Sequence, residues 1–123
     1  MSRRLISAPS KRSLPLQGAA LRAAVAVLGA LGDATRLRLV VTLCAGGALS
    51  IAQLTSGTDL TRQAVSKHLR VLAQAGLVRD VRSGREHLWE FEPAQLEEVL
   101  LSLQAIAEQW DRALQRLKAV VEG

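Results

Sequence analysis

The chain has 123 residues, and its 16 Lys and Arg against 11 Asp and Glu give a net charge of +5. That length suits one domain with a modest core. No apolar run reaches the roughly 20 residues of a transmembrane helix. The apolar stretch 23–32, between Arg22 and Asp33, is unlike a secretory signal. We therefore expect no membrane association and a cytoplasmic location. The sequence also has no phosphate-binding loop, HExxH zinc motif or nucleophile elbow, so nothing indicates an enzyme.

Residues 1–17 differ in composition from the rest of the chain. They combine Ser, Pro and scattered Leu and Ile with four cations: Arg3, Arg4, Lys11 and Arg12. Such a stretch is typical of a disordered tail, so the folded domain is expected over residues 18–123. A basic arm that follows a phosphate backbone is the alternative to an idle tail, which is the commoner case.

Two helices are predicted before residue 50. The apolar residues of the first, over residues 19–31, share one side: Leu21, Val25, Leu28 and Leu31. The second opens at Asp33 and runs toward the Gly46-Gly47 break. It contains Cys44, the single cysteine, which has no partner for an intramolecular disulfide. We expect a buried structural thiol, because a free cysteine behaves as a small core residue; an intermolecular disulfide is the alternative.

A helix-turn-helix unit is predicted over residues 50–76. Residues 50–54 open a short helix, residues 57–60 form a turn, and Thr61 can cap a second helix. Three apolar residues at helical spacing face the core: Val65, Leu69 and Leu72. The opposite stripe carries cations and neutral hydrogen-bonding groups without a carboxylate: Arg62, Gln63, Ser66, Lys67 and Arg70. Gly76 is placed where a left-handed residue would end this helix.

Two short β-prone runs follow the helix. They cover residues 77–82 and 87–92, joined through Ser83-Gly84-Arg85, and predict a hairpin. Trp89 and Phe91 alternate with a polar residue, which indicates packing under the hairpin rather than base stacking. Residues 61–85 contain six cations and one acid, whereas residues 92–123 contain six acids and three cations. Positive charge is therefore concentrated on the elements predicted to meet phosphates.

The closing helix is predicted to carry a wide apolar face. One stripe alternates steps of four and three: Leu96, Leu100, Leu103, Ala107, Trp110, Leu114, Leu117 and Val121. A second stripe lies beside it: Val99, Ile106, Ala113 and Val120. A small domain cannot bury both, which favours a helix–helix interface between two chains over a helix that packs back on its own domain. Trp110 is expected to anchor this interface or the core, with the lining of a ligand cavity as the alternative.

These segments resemble the ArsR/SmtB family of bacterial winged-helix repressors. The matching stretches are LGDATRLRLVVTL, LSIAQLT and, most specifically, AVSKHLRVLAQAGLV, and the resemblance covers about three quarters of the chain from near Leu31. Ala34 departs from the usual proline, which would preset the first helical turn. The resemblance implies a mostly α winged helix-turn-helix with a small β-hairpin, in the order α-α-α-α-β-β-α. It also implies a homodimer that pairs its first and last helices.

The partner implied is double-stranded DNA with an imperfect palindrome, because two recognition helices would enter major grooves about 34 Å apart. Four side chains are predicted to read base edges: Arg62, Gln63, Ser66 and Lys67. Five are predicted to hold the backbone or the flanking minor groove: Thr61, Arg70, Arg82, Ser83 and Arg85. His68, on the flank of the helix, either contacts DNA or only lines the groove edge. The predicted dimer interface contains Leu21, Val25, Leu28, Leu96, Leu100, Leu103, Ala107, Trp110, Leu114 and Leu117.

Metal sensing, which is frequent in the family, is not carried over. The family places cysteine pairs in the helix before the recognition helix or His and acidic ligands on the last helix. Here residues 50–56 contain no Cys, and residues 92–123 contain neither His nor Cys. His68 and His87 have no second soft ligand nearby, and a zinc site needs three or four. We expect no cofactor, and the inducing signal stays open. A winged helix that binds a protein instead of DNA is the alternative function; the cations at Arg62, Lys67, Arg70, Arg82 and Arg85 argue against it.

Overall fold

The computed structural model, which describes residues 17–123, has the predicted elements in the predicted order and one additional short strand. The helices are α1 (Gly18–Leu31), α2 (Ala34–Gly46), α3 (Ile51–Ser56), α4 (Arg62–Gln74) and α5 (Ala94–Glu122). The strands are β1 (Leu49–Ser50), β2 (Val78–Ser83) and β3 (Glu86–Phe91). The predicted winged helix-turn-helix is therefore confirmed. The predicted N-terminal tail lies outside the described residues, except for Gln17, which precedes α1.

Side chains at three helix starts satisfy backbone N–H groups that have no partner within the helix. Asp33 Oδ1 accepts from the Arg36 N–H at 3.0 Å, and Thr61 Oγ1 accepts from the Ala64 N–H at 3.0 Å. Ser50 and Gln53 exchange two such bonds at the start of α3. A cap of this kind contributes about 1 kcal/mol. The helix-turn-helix boundaries are thus set by local sequence.

Helix α4 ends in a left-handed glycine, as predicted. Gly76 has φ of 78°, and its N–H donates to the Ala73 carbonyl at 3.0 Å. The Leu77 N–H reaches back to the Leu72 carbonyl at 3.0 Å. These two bonds form a Schellman motif, which satisfies carbonyls at the helix end and turns the chain directly into β2.

A three-stranded antiparallel sheet of order β1-β3-β2 lies beside the helices. β2 and β3 form the predicted hairpin, with Arg82 opposite His87. Ser83 belongs to β2 rather than to the turn, so only Gly84 and Arg85 connect the strands. The sequence did not predict β1, because two residues are too few to show the alternation of a strand. By pairing with β3, β1 attaches the hairpin to the helix-turn-helix.

The core is formed by one face of each helix and by the base of the hairpin. Val65, Leu69 and Leu72 of α4 are fully buried, as the sequence predicted, and pack with Leu43 and Leu77. Each such side chain contributes about 1.5–3 kcal/mol when removed from water. Helix α4 is therefore packed against the core by its inner face.

The expectation of a buried Cys44 is wrong, because its side chain is exposed. The buried residues of α2 are Leu39, Val40 and Leu43. Residues three and seven positions apart lie on the same face of a helix, and Cys44 follows Val41 by three residues and Leu37 by seven. Cys44 instead shares the outer face with Leu37 and Val41, which are both exposed.

Candidate nucleic-acid interface

The outer face of α4 presents polar and cationic groups to solvent. Thr61, Arg62, Gln63, Lys67 and Arg70 are all exposed. Within residues 17–123, none of these three cations lies within 4.0 Å of a carboxylate oxygen. The helix itself contains no acidic residue. Its charge is therefore not neutralised inside the protomer and is free to meet phosphates.

Two predicted site residues of α4 are less exposed than the others. Ser66 and His68 are half-buried, on opposite flanks of the helix. Both flank positions lie closer to the core stripe than Lys67 does, as the angular spacing of helical residues requires. Gln74, which the sequence reasoning left out, continues the exposed outer face toward the helix end. Gln74 follows Arg70 by four residues, and this spacing could have placed it on the same helix face from the sequence alone.

The tip of the hairpin adds a second group of exposed cations. Arg82, Ser83 and Arg85 are exposed around the Gly84 turn, where φ is 62°. Neither arginine forms an ion pair within the described residues. The wing therefore offers two cations and a hydroxyl at the point that projects farthest along the hairpin.

Arg79, counted among the cations of this region, is already paired. Its Nη2 lies 2.6 Å from Glu90 Oε1 on the neighbouring strand, and its Nη1 lies 3.4 Å from Glu92 Oε2. The hydrogen bond to Glu90 raises the pKa of the Arg79 guanidinium further above its ordinary value. The sequence count of six cations therefore overstates the charge available to DNA.

His87, close to the tip of the wing, contacts both strands of the hairpin. Its Nε2 lies 3.1 Å from Asp80 Oδ2, and its ring stacks on Trp89 with centroids 5.4 Å apart. Trp89 is buried, as the sequence predicted, and Phe91 is half-buried. These contacts make the aromatic residues part of the hairpin packing and keep them from stacking on bases.

Arg36 connects three helices and was not singled out from the sequence. Its Nε donates to the Ala30 carbonyl at 2.6 Å and its Nη2 to the Gly29 carbonyl at 3.4 Å, both at the end of α1. Its Nη1 lies 3.4 Å from Nδ1 of His68 on α4. The backbone N–H of Arg36 also lowers the pKa of Asp33, the residue that caps α2. No local pattern signals a contact between residues 32 positions apart.

Comparison with known proteins identifies this architecture. Residues 31–81 match the family model of a helix-turn-helix domain. The HTH-type transcriptional regulator Rv2034 of Mycobacterium tuberculosis is 36% identical over 85 residues, which cover 69% of this chain and 76% of the relative. The structure of an ArsR-like transcriptional regulator from Rhodococcus sp. RHA1 has a TM-score of 0.74 and 33% identity, covering 81% of this chain and 93% of that one. The chain belongs to the ArsR family of transcriptional regulators.

A second solved structure shares the fold of this ArsR-family regulator. It is the homodimeric winged helix-turn-helix DNA-binding domain Mb0332 from Mycobacterium bovis, with a TM-score of 0.60 and 23% identity. The likeness covers 85% of this chain and 92% of that one. At this identity the comparison shows the fold alone.

The ArsR-family regulator leaves two apolar helix faces uncovered in the described protomer. On α1, Leu21, Val25 and Leu28 are exposed beside the buried Ala24 and Val27. On α5 the exposed members of the predicted interface are Leu100, Leu103, Ala107, Trp110, Leu114 and Leu117. Leu96 differs from these, because it is half-buried against the protomer's own core beside Val99. The second half of α5 therefore has little contact with its own domain.

The described residues of this regulator bring no metal ligands together. Between Gln17 and Gly123, no three His, Cys, Asp or Glu side chains are close enough to hold one ion. His68 faces Arg36 and His87 faces Asp80, so the two histidines belong to separate contacts. In the same range, no helix has both the length and the apolar character needed to cross a membrane.

Proposed function

We propose that this ArsR-family regulator is a homodimeric repressor that binds an imperfect palindromic operator. The observation that carries the proposal is the exposed face of α4, where Arg62, Lys67 and Arg70 have no carboxylate partner among residues 17–123. Residues 61–75 would enter the major groove, and residues 77–92 would lie along the flanking backbone. Because no acid lies among them, the cations of this face repel one another in the free protein. Bound phosphates would relieve that repulsion.

The first turn of α4 is assigned the reading of bases. Arg62 and Gln63 are exposed there, and Lys67 lies about one turn further on the same outer face. Arginine fits the paired acceptors of guanine, and glutamine fits the donor and acceptor of adenine. Ser66, half-buried on the flank, adds a short hydroxyl. These four residues would supply sequence preference.

Contacts that position the protein on DNA are assigned to the edges of this surface. Thr61 accepts a backbone bond through its oxygen, which leaves its hydroxyl hydrogen free to donate to a phosphate. Arg70 lies further along the outer face of α4, and Arg82, Ser83 and Arg85 lie at the wing tip. These contacts would set the register on the duplex without reading sequence.

A second copy of the chain would cover the exposed faces of α1 and α5. Trp110 is 64% exposed and Leu117 60% exposed, which is unusual for such large apolar side chains on one helix. The Mycobacterium bovis domain of the same fold is homodimeric, which supports this arrangement. A two-fold axis would present two α4 helices to successive major grooves, which accounts for a palindromic operator.

We further propose that DNA release does not depend on metal at the usual family sites. The supporting observation is that neither α3 nor α5 offers a set of soft ligands. The test is electrophoretic mobility with operator DNA in the presence of zinc, cadmium or arsenite, with a metal-responsive ArsR protein as control. Release of this protein at concentrations that release the control would overturn the proposal.

Fluorescence-anisotropy titration tests the central proposal. The full chain is titrated against its own upstream DNA and a scrambled duplex, each at two salt concentrations. Selective binding that survives the higher salt is expected. Weak, equal binding that disappears with salt would reject specific DNA binding and favour a winged helix that binds protein. A promoter–reporter fusion, with and without the protein, then separates repression from activation.

A further inference from the structure

The imidazole of His68 is held from one side by a cation. Arg36 Nη1 lies 3.4 Å from His68 Nδ1, and the same guanidinium is fixed by the Ala30 carbonyl at 2.6 Å and the Gly29 carbonyl at 3.4 Å. Asp33 Oδ2 lies 4.0 Å from Nη1. The arginine side chain is only 18% exposed. Arg36 is therefore held in place by the end of α1, and His68 of the recognition helix contacts its guanidinium.

This contact decides which imidazole nitrogen carries the proton. A guanidinium stays protonated and has only donors, so His68 Nδ1 must be the acceptor. A neutral imidazole that accepts at Nδ1 carries its hydrogen on Nε2. His68 Nε2 forms no hydrogen bond within residues 17–123, and it is not among their buried unpaired polar atoms. The ring thus presents an N–H donor that solvent reaches.

We infer that Arg36 is a positioning residue that fixes His68 in its Nε2–H form, so that His68 donates to a DNA phosphate. The inference rests on the proposed role of α4 in DNA binding. His68 lies on a flank of α4, between the buried stripe and the exposed outer face. Flank positions of a recognition helix face the backbone, whereas its outer face meets the base edges. A phosphate oxygen only accepts, so it pairs with Nε2–H and not with a bare nitrogen.

The same contact ties the recognition helix to the end of α1. The carbonyls of Gly29 and Ala30 carry the partial negative charge of a helix end, which attracts the guanidinium. Arg36 therefore bridges the helix proposed for dimerisation and the helix proposed to read DNA. Loss of the bridge would leave His68 free to rotate and to change its protonated nitrogen.

Nitrogen NMR of the free protein tests the protonation state without DNA. The chain has two histidines, so a His87→Gln variant labelled with nitrogen-15 leaves only His68 in the spectrum. For the neutral imidazole, one protonated nitrogen at Nε2 and one unprotonated nitrogen at Nδ1 are expected. In an Arg36→Gln variant the two signals should move toward each other as the forms interconvert. A protonated Nδ1 in the parent protein would overturn the inference.

DNA binding of matched His68 variants tests the donor role. The amide nitrogen of glutamine approximates Nε2, whereas that of asparagine approximates Nδ1. His68→Gln should bind operator within about twofold of the wild type, and His68→Asn and His68→Ala should lose about fivefold to tenfold. The loss should be similar on operator and scrambled DNA, because a phosphate carries no sequence. Equal affinity of all variants, or a loss confined to operator DNA, would overturn the phosphate contact.

A double-mutant cycle shows whether Arg36 acts through His68. Arg36→Gln alone should weaken DNA binding, but it should add little in the His68→Ala background. Fully additive losses would overturn the positioning role. Thermal melting identifies any variant that fails to fold, and Arg36→Lys then replaces Arg36→Gln, since lysine keeps the charge but loses the fork. Wild-type protein without selective DNA binding would reject the proposed function itself. Selective wild-type binding with unaffected His68 variants would reject only this inference.

Discussion

A Cβ atom built on Gly76 would lie 2.7 Å from Cγ of Gln95, the second residue of α5. The glycine that follows the recognition helix therefore also lies close to the start of α5. Two requirements meet at this residue, a left-handed backbone with φ of 78° and close approach of another helix. Any side chain at this position would disturb both α4 and the start of α5.

Gly76→Ala is predicted to destabilise the domain more than Gly84→Ala. Both glycines have positive φ, but a Cβ on Gly84 would meet no atom within 4 Å. Gly84→Ala should therefore cost only the left-handed backbone penalty of about 1–2 kcal/mol. Gly76→Ala should cost about 1–3 kcal/mol more, through overlap with Gln95. Urea denaturation measures both, and Gln95→Ala should recover part of the Gly76→Ala loss. Equal costs for the two glycines would contradict the role given to Gln95.

Arg62→Ala is predicted to cost about 1–3 kcal/mol of operator binding and to relax the preference at one base position. Arg62 is exposed in the first turn of α4, where a side chain reaches base edges. Arg112→Ala is the matched control, because Arg112 is also exposed but lies on α5. Binding to operators changed at single positions provides the measurement. Equal losses on every sequence would make Arg62 a phosphate contact instead.

Arg82→Ala and Arg79→Ala are predicted to differ in their effect on salt dependence. Arg82 forms no ion pair among residues 17–123, whereas Arg79 is held by Glu90 and Glu92. Removal of a phosphate contact lowers the slope of log affinity against log salt by about one. Arg82→Ala should show that change, and Arg85→Ala should show the same change. Arg79→Ala should leave the slope nearly unaltered. Anisotropy titrations at four salt concentrations distinguish the two outcomes, and a full unit of slope lost with Arg79 would show that its ion pairs open on DNA.

The local features of the fold could be predicted from the sequence, whereas its long-range contacts could not. The Thr61 cap, the left-handed Gly76 and the buried stripe of α4 follow from local sequence, and all three were predicted. Cys44 was misplaced because its apolar neighbours define two faces of α2, and only packing decides which one is buried. The pairing of Arg79 with Glu90 depends on strand register, and the contact of Arg36 with His68 depends on how three helices meet. Neither relationship leaves a periodic signal in the sequence.

Asp33 is predicted to make stability depend on pH in the acidic range. The hydrogen bond from the Arg36 backbone lowers the Asp33 pKa from its ordinary value of 3.8. A lowered folded-state pKa stabilises the fold above pH 3.8, and this contribution is lost as pH falls through the folded pKa. Asp33→Asn is the matched variant, since asparagine also caps helices but does not titrate there. Urea midpoints are measured between about pH 2.5 and 6, the range in which carboxyl groups titrate. As the pH is lowered, the midpoint should fall less steeply for Asp33→Asn than for the wild type. Parallel curves would show that Asp33 does not contribute to the pH dependence.

Leu117→Asp is predicted to dissociate the proposed dimer, whereas Val41→Asp is not. The two side chains are matched in exposure, since each is 60% exposed in the protomer. Leu117 lies on the distal part of α5, where a partner would cover it, and Val41 lies on the outer face of α2, outside the proposed interface. Burial of an unpaired carboxylate in an apolar interface is costly, so the Leu117→Asp substitution should leave a monomer.

Light scattering after size exclusion measures the mass of each variant directly. A monomeric Val41→Asp variant together with a dimeric Leu117→Asp variant would move the interface from α5 to α2. Because the two halves of a palindrome must be bound together, the Leu117→Asp monomer should also lose operator affinity while it keeps the weak binding of a single half-site.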